Sequence, residues 1–359
     1  MKALVTGATG LVGANLVREL LAQNYEVRAL VRPTSDLRAL GGLEVETCVG
    51  DVLQPETLVS AASGCEIVFH AAAIFSYWKT SAEHLQKIAV TGTRNVLDAA
   101  SRGGTRRVVL TSSTVVLGSS RTREVRDESS LCNETDAYSL AKMRQEEVAF
   151  RCAAHFGLEL VAACPAMCLG PNDYRLSPSN AIICSYLKDP FRLTWPGGCN
   201  LVSVRDVARG QILLARKGKP GERYILGSEN LEWPASHRLI SELCGVEGPK
   251  FTANHTSAYL AATAQEMISA LTRQPPLSTR TQAKMVGRFY WYSSARAQSL
   301  GYAPRPARTA LAEAAAWLLG SAHLPKMVRT TLRPGREIYR AWEKLGEKNA
   351  NLPNDGGRV

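Results

Sequence analysis

The sequence predicts an α/β protein built on a doubly wound parallel sheet, with a smaller C-terminal lobe. Three observations carry that expectation. Short β-branched and apolar runs alternate with segments of helical spacing as far as Pro165. A glycine-rich turn, TGATGLVG at Thr6 to Gly13, stands between the first run and the first helical segment. Beyond Pro165 the rhythm breaks and Pro, Gly, Asn and Ser accumulate. Strict alternation implies right-handed crossovers, and these set the strands parallel with helices on both faces.

Lys2 to Thr6 reads as the first strand, Leu11 to Gln23 as a helix, Val27 to Val31 as the second strand and Glu44 to Val49 as the third. Glu66 to His70, Arg107 to Ser112 and Leu158 to Ala163 continue the series, with helical segments near 55–63, 82–102 and 137–156. Residues 170–198 read as substrate-facing loops, and regular elements resume at 201–208 and 222–227 before a more helical stretch from 229 to 319. The expected organisation is a nucleotide-binding core over 1–170 and a substrate lobe over 171–320, with segments near 201–227 returning to the core. A basic extension over 321–359 follows, partly helical and then disordered.

Composition narrows the class. The 359 residues are 45% hydrophobic and 21% charged, enough for a sizeable core. No run reaches the roughly 18 apolar residues of a membrane span, and the stretch after Met1 is too short for a secretory leader, so a cytoplasmic protein is expected. Nine cysteines are scattered without a zinc-type pair, which suits reduced, packed thiols such as Cys164 and Cys168 and no metal. The net charge of +11 is spread along the chain, as expected of an enzyme for phosphate-bearing ligands rather than a nucleic-acid binder.

The glycine-rich turn has the spacing for a dinucleotide. Gly7, Gly10 and Gly13 allow a tight turn, a close approach of backbone to pyrophosphate and close helix packing, with Thr6, Thr9, Leu11 and Val12 forming the rest of the cradle. Where an NAD site usually offers a carboxylate, the second strand ends in Val31 and Arg32. A guanidinium can bind a 2′-phosphate, so NADP(H) is favoured and NAD(H) is left open, with Arg28, Thr34 and Ser35 as helpers. Asp51 and Val52, in GDV after the third strand, are placed for the adenine, although an Asp there can equally cap a helix.

YSLAK at Tyr138 to Lys142 lies in a helical segment with Asn133, Thr135 and Asp136 as cap candidates and Gly157 as the stop. Tyr138 and Lys142 are one turn apart on one face. An ammonium beside a phenol stabilises the phenolate, which makes the pair a proton-transfer device. Hydride transfer to a carbonyl builds charge on oxygen, and a serine at a strand end can donate to it. Ser112 and Ser113 both qualify; side chains alternate along a strand, so only one can face the cleft.

Taken together, TGATGLVG, GDV, VFHAAA, TGTRNVL, TSS, YSLAK and LVSVRDVA resemble the extended short-chain dehydrogenase/reductase superfamily of NAD-dependent epimerase/dehydratase type over about residues 1 to 318. VRPTSD, TSSTVVLG and GERYILGSENL are most similar to dihydroflavonol-4-reductase-like reductases and to hopanoid-associated sugar epimerases. The resemblance implies a Rossmann-type core, Tyr138 as acid/base, Lys142 lowering its pKa, and Ser113 as the oxyanion donor with Ser112 in reserve. It adds Ala71, Ala72, Thr111 and Pro165 to the cofactor's surroundings, along with Tyr138 and Lys142. Two departures stand out. Ala89 occupies the place of a relay asparagine, and Ser203-Val204-Arg205-Asp206-Val207 replaces a His-Val-Asp-Asp-Val.

The expected function is NADP(H)-dependent reduction of a ketone or aldehyde on a small molecule. The alternatives are a nucleotide-sugar epimerase or dehydratase holding NAD tightly, with Arg175, Arg192 and Arg205 for the diphosphate, and a cofactor-sensing protein with a vestigial site. A homodimer is expected from the resemblance. From Gly335 to Lys348 a basic amphipathic helix could meet an anionic membrane, but packing of its Ile338, Trp342 and Leu345 stripe on the enzyme itself is the stronger expectation.

Overall fold

A computed structural model describes residues 1–75, 80–272 and 278–345. The first half alternates as β1 (Lys2–Thr6), α1 (Leu11–Ala22), β2 (Glu26–Val31), β3 (Glu46–Val49), α2 (Leu58–Ala62), β4 (Ile67–His70), α3 (Ala82–Gln86), α4 (Thr93–Arg102), β5 (Arg107–Thr111), α5 (Ala137–Phe156) and β6 (Glu159–Pro165). The second half adds β7 (Met167–Leu169), α6 (Pro178–Lys188), β8 (Leu193–Thr194), β9 (Gly198–Ser203), α7 (Val204–Lys217), β10 (Arg223–Leu226), β11 (Glu229–Glu232), α8 (Trp233–Cys244) and β12 (Phe251–Thr252). It closes with α9 (His255–Thr272), α10 (Arg280–Ala283), β13 (Phe289–Tyr290), α11 (Ala295–Ser299), α12 (Ala307–Gly320), α13 (Lys326–Arg329) and α14 (Arg336–Leu345).

Seven strands form one parallel sheet in the order β10-β6-β5-β4-β1-β2-β3. The direction of winding reverses between β1 and β4, where Thr6 lies opposite His70. In such sheets a crevice opens beyond the carboxyl ends of the strands at that reversal, and ligands bind there. Strands β4 and β5 are buried along their whole lengths because helices cover both faces, which is why VVLT and IVFH read as continuous apolar runs. One face packs on Leu16, Leu20 and Val207, the other on Leu97, Ala100 and Ala149. A smaller sheet, β11-β9-β13 with β7 joined to β9, carries the C-terminal lobe.

Helix α5 begins where Asp136 accepts from the backbone N–H groups of Tyr138 and Ser139, both at 3.1 Å, and ends at Gly157 in the left-handed region. Asn133, another cap candidate, instead ties down the loop at Ser119. The helical stretch 82–102 is continuous, but Lys87–Gly92 is a π-helical turn between α3 and α4. Such turns insert an extra residue and shift the faces on either side of it.

The expectation of loops across residues 170–198 is corrected by α6. Ser177 accepts from Asn180 N–H at its start and Pro178 occupies the first turn, so the Ser and Pro there mark a helix beginning rather than a loop. The apolar stripe of α14 is spent on the lobe itself: Ile338 and Ala341 are buried and Trp342 and Leu345 pack beside them, while Glu337 bonds Arg308 at 3.0 Å. The rest of the expected tail, 346–359, lies outside the described residues. All nine cysteines are free, and among the described residues no cluster suits a metal and no helix is long and apolar enough to cross a membrane.

The SVRDV segment joins the two sheets. Asp206 is fully buried and accepts from the Arg305 backbone N–H at 2.9 Å and from its guanidinium at 3.1 Å, with Arg209 on the same carboxylate. Arg305 also donates to Glu313 at 2.7 Å, and Ser203 hydroxyl reaches the same carboxylate at 2.7 Å. Removing one partner of a buried ion pair leaves the rest uncompensated. Asp206→Ala should therefore lower unfolding stability by about 3 kcal/mol. Breaking the exposed Arg123–Glu232 pair with Arg123→Ala should cost under about 1 kcal/mol. Urea midpoints of the two variants test the contrast.

Candidate active site

The turn between β1 and α1 lies at the carboxyl end of the sheet. Gly7 has φ +69°, and a Cβ on it would stand 2.7 Å from the backbone of Ala71 and Ala72, so the fold itself excludes a side chain. Gly10 is different. A Cβ there would meet nothing nearer than Gly7 O at 3.4 Å, so the internal packing asks little of that position. The missing side chain at Gly10 leaves a concave approach from outside. It also opens α1, which starts at Gly10 without a side-chain cap, so the first-turn N–H groups of Leu11, Val12 and Gly13 face outward for an anion. A pyrophosphate fits this cradle, with Thr9, Leu11 and Val12 half-buried on its rim.

Thr6 is fully buried and ties the turn to β4. Its hydroxyl accepts from Ala72 N–H at 3.1 Å and lies 2.8 Å from His70 Nδ1, while Thr6 carbonyl accepts from Ala71 N–H at 3.2 Å. Asp51 is half-buried and caps the chain that follows it, accepting from Leu53 N–H at 2.9 Å; Val52 carbonyl accepts from Asn95 at 2.9 Å. Arg32 is exposed at the end of β2, with its N–H on Ser35 Oγ at 2.9 Å. The nearby carboxylate of Asp36 is turned to Arg38, whose guanidinium holds it down at about 2. Arg28 is not a helper for a ribose phosphate. Its guanidinium is engaged by Glu46 at 2.7 Å and by the carbonyls of Ala61 and Ser63 at the end of α2.

At the end of β5 the two serines part. Ser112 keeps its backbone bond to β6, and its hydroxyl donates to Glu146 Oε2 at 2.5 Å inside the protein. Ser113 therefore faces the other way, as the period of a strand demands. Its hydroxyl accepts from Val115 N–H at 3.3 Å and hydrogen-bonds the phenol of Tyr138. Tyr138 is 8% exposed, with the Phe75 ring centroid 4.8 Å from its own. Burial pushes the phenol above its ordinary value, outweighing the bond from Ser113.

Lys142 is buried under this pair. Its ammonium donates to Thr111 carbonyl at 2.9 Å and to Gln145 Oε1 at 2.8 Å, and burial pulls it down to about 8. Thr111 hydroxyl donates to Gln211 at 2.9 Å, so Thr111 serves the site through its carbonyl. Pro165 ends β6 opposite Leu226, beside these groups in the sheet's order. The structure thus brings Ser113, Tyr138, Lys142, Thr111 and the Thr6 turn to one end of the sheet.

Several contributors escape sequence inspection. Glu146 is buried and joins Ser112 to Arg223, which meets it at 2.6 Å. Gln145, Thr93 and His70 connect Lys142 to Thr6. Gln145 stands three residues after Lys142, so helical spacing alone could have placed it on the same face. Ser112→Ala should cost about 1–3 kcal/mol in urea unfolding because Glu146 loses a buried donor, while Ser113→Ala, whose site is half-exposed, should cost under about 1 kcal/mol.

The sequence profile of the NAD dependent epimerase/dehydratase family matches residues 3–227. A dihydroflavonol 4-reductase-like protein of Synechocystis sp. is 36% identical over 321 residues, 87% of this chain and 93% of that protein. Cinnamoyl-CoA reductase 1 of Oryza sativa subsp. japonica is 33% identical over 339 residues, 89% of this chain and 91% of that protein. The crystal structure of gox2253 superposes with a TM-score of 0.78 at 35% identity, over 90% of this chain and 99% of its own. A Rossmann-type sheet with the glycine cradle at its winding reversal, and a Tyr-Lys pair beside a strand-end serine, accord with that match: the chain is an enzyme of the NAD-dependent epimerase/dehydratase family, the extended short-chain dehydrogenases/reductases.

Proposed function

We propose that this enzyme is an NADPH-dependent carbonyl reductase. The observation that carries the proposal is the hydrogen bond between Ser113 and Tyr138 at the carboxyl end of β5, beside a buried Lys142. The names of the reductase relatives at 33–36% identity point the same way. When bound, the dihydronicotinamide supplies the hydride. Tyr138 gives its phenolic proton to the carbonyl oxygen as that oxygen gains charge, and Ser113 donates a hydrogen bond to the same atom. Lys142 steadies the resulting phenolate until it is reprotonated.

The choice of NADPH rests on Arg32, exposed where β2 ends and free of the ion pair that occupies Arg38. A nucleotide-sugar substrate is less well served. Arg192 caps α6 through the carbonyls of Tyr186 and Leu187, and Arg205 faces Glu313, so two of the three candidate arginines for a diphosphate are already engaged.

The test is stoichiometric NADPH oxidation across a panel of ketones and aldehydes. Tyr138→Phe should lower kcat by about 100-fold or more, and Ser113→Ala by about 100-fold. Arg32→Ala should weaken NADPH about tenfold in a binding titration and leave NADH unchanged. Cofactor that cycles without net consumption, or equal losses for both dinucleotides, would count against the proposal.

A further inference from the structure

Arg192 and Arg205 are engaged within the lobe, whereas Arg175 is exposed on the segment between β7 and α6 and forms no salt bridge among the described residues. That segment is pinned at both ends. Asn15 of α1, 3% exposed, donates to Pro171 carbonyl at 2.8 Å and accepts from Asn172 Nδ2 at 3.1 Å, which ties the start of the segment to the helix of the nucleotide cradle. The buried Asp173 carboxylate accepts from Ser177 N–H at 2.7 Å and from Asn180 Nδ2 at 2.9 Å, which ties its end to α6. Asn172 and Leu176 have φ of +64° and +54°, so the chain turns sharply on either side of Tyr174 and Arg175.

Tyr174 shows where this corner of the lobe points. Its ring meets Trp317 of α12 edge-on, with centroids 4.9 Å apart, and the Arg38 guanidinium lies 5.3 Å from its centroid. Arg38 belongs to the turn after β2, so the lobe touches the core where a ribose 2′-phosphate is expected.

The charges on that turn do not suffice for a phosphate. Arg32 carbonyl accepts from Ser35 N–H at 2.9 Å, the chain doubles back, and Asp36 brings a carboxylate that would repel an anion. Arg38 answers it: Nε donates to both carboxylate oxygens at 3.0 Å and Nη2 donates to Oδ2 at 2.6 Å. As a unit this pair is neutral, and Arg28 is held by Glu46, so Arg32 remains as the core's uncompensated cation at the end of β2. A phosphate monoester carries about −1.5 to −2 at neutral pH, which leaves close to one charge unmatched. Arg175 has the missing charge. Arg38 is the main reason that the Asp36 carboxyl is held low, and the charge of Arg175 acts on the same group, so the lobe cation reaches the same turn.

We infer that Arg175 is a specificity-determining residue, a cation that the C-terminal lobe extends to the ribose 2′-phosphate to complete a pair with Arg32 of the core. The inference rests on the choice of NADPH as cofactor. It makes the adenosine end of the dinucleotide a tie between the two lobes, because the loop that carries Arg175 is fastened to α1 on one side and α6 on the other.

The test uses the full-length enzyme and two probes without a nicotinamide, 2′,5′-ADP and 5′-AMP, titrated by calorimetry. Arg175→Ala should weaken 2′,5′-ADP about fivefold and leave 5′-AMP unchanged. Arg175→Lys keeps the charge without the planar fork and should retain most of the affinity, whereas Arg175→Glu should weaken 2′,5′-ADP about twentyfold. Because the side chain is exposed, these differences should shrink as salt is raised. If Arg32→Ala loses the preference for 2′,5′-ADP while Arg175→Ala keeps it in full, the role of Arg175 is overturned and the choice of NADPH stands. Equal weakening of both probes by Arg175→Ala gives the residue a merely structural part in its loop and also overturns the role. A wild-type enzyme that binds 5′-AMP as tightly as 2′,5′-ADP refutes the choice of NADPH, and the role of Arg175 with it.

Discussion

A buried ammonium is the constraint around which this site is organised. Lys142 sits at the level where α5 crosses the end of β5, 4% exposed, and Thr111 carbonyl and Gln145 receive the buried cation there, with the Glu146 carboxylate also favouring its charge. Both acceptors are set by the fold: Thr111 is the last residue of β5, and Gln145 is one turn along the helix that Asp136 starts. With the helix fixed in register, Tyr138 comes to lie one turn back, over the strand end and against Ser113. Moving α5 by one residue would separate all three at once.

The sheet places that helix beside the nucleotide cradle. Winding reverses between β1 and β4, so the turn after β1 and the chain after β4 diverge and leave the crevice. Gly7 lets the two backbones meet at its inner edge, and Gly10 leaves its outer edge clear. Thr6 then becomes a junction, fastened to Ala71 and Ala72 on one side and, through His70 and Thr93, to Gln145 on the other. The cradle and Lys142 share one buried set of hydrogen bonds, a physical reason for their fixed separation.

Much of this was legible in the sequence because it depends on local pattern. The alternating runs give the sheet, the glycine spacing gives the cradle, and the four-residue interval gives one face to Tyr138 and Lys142. What depends on side-chain direction was not legible. Ser112 and Ser113 are chemically equal, and only Glu146, thirty-four residues on, decides that Ser112 turns inward. Arg28 reads as well as Arg32 for a phosphate until Glu46 and the carbonyls ending α2 are seen to hold it. Helix α6 was hidden for a different reason: Ser and Pro signal both loops and helix starts, and only the bond from Asn180 N–H to Ser177 separates the two. Ala89 read as a loss, because no linear pattern shows that Lys142 and Gln145 of α5 line the same cavity as Ala89.

The protonation state of the pair bears on the direction of the chemistry. Carbonyl reduction begins with a tyrosine that still holds its proton, whereas oxidation of an alcohol, the opening step of a sugar epimerisation, begins with a phenolate. In this structure burial raises Tyr138 and lowers Lys142 to about 8, so below that pH the phenol is neutral and the lysine charged. The lysine's shift also has a sign in stability. An unfolded lysine, with a pKa near 10.4, holds its proton longer than the folded one, so folding is weakened by the full shift below about 8 and regains that loss as pH rises toward 10.4. Burying the cation thus costs stability at neutral pH, and the protein retains it where it can stabilise charge on a neighbouring oxygen. A neutral phenol above a charged ammonium is a proton donor with its counter-charge already in place, which is the state the proposed reduction requires.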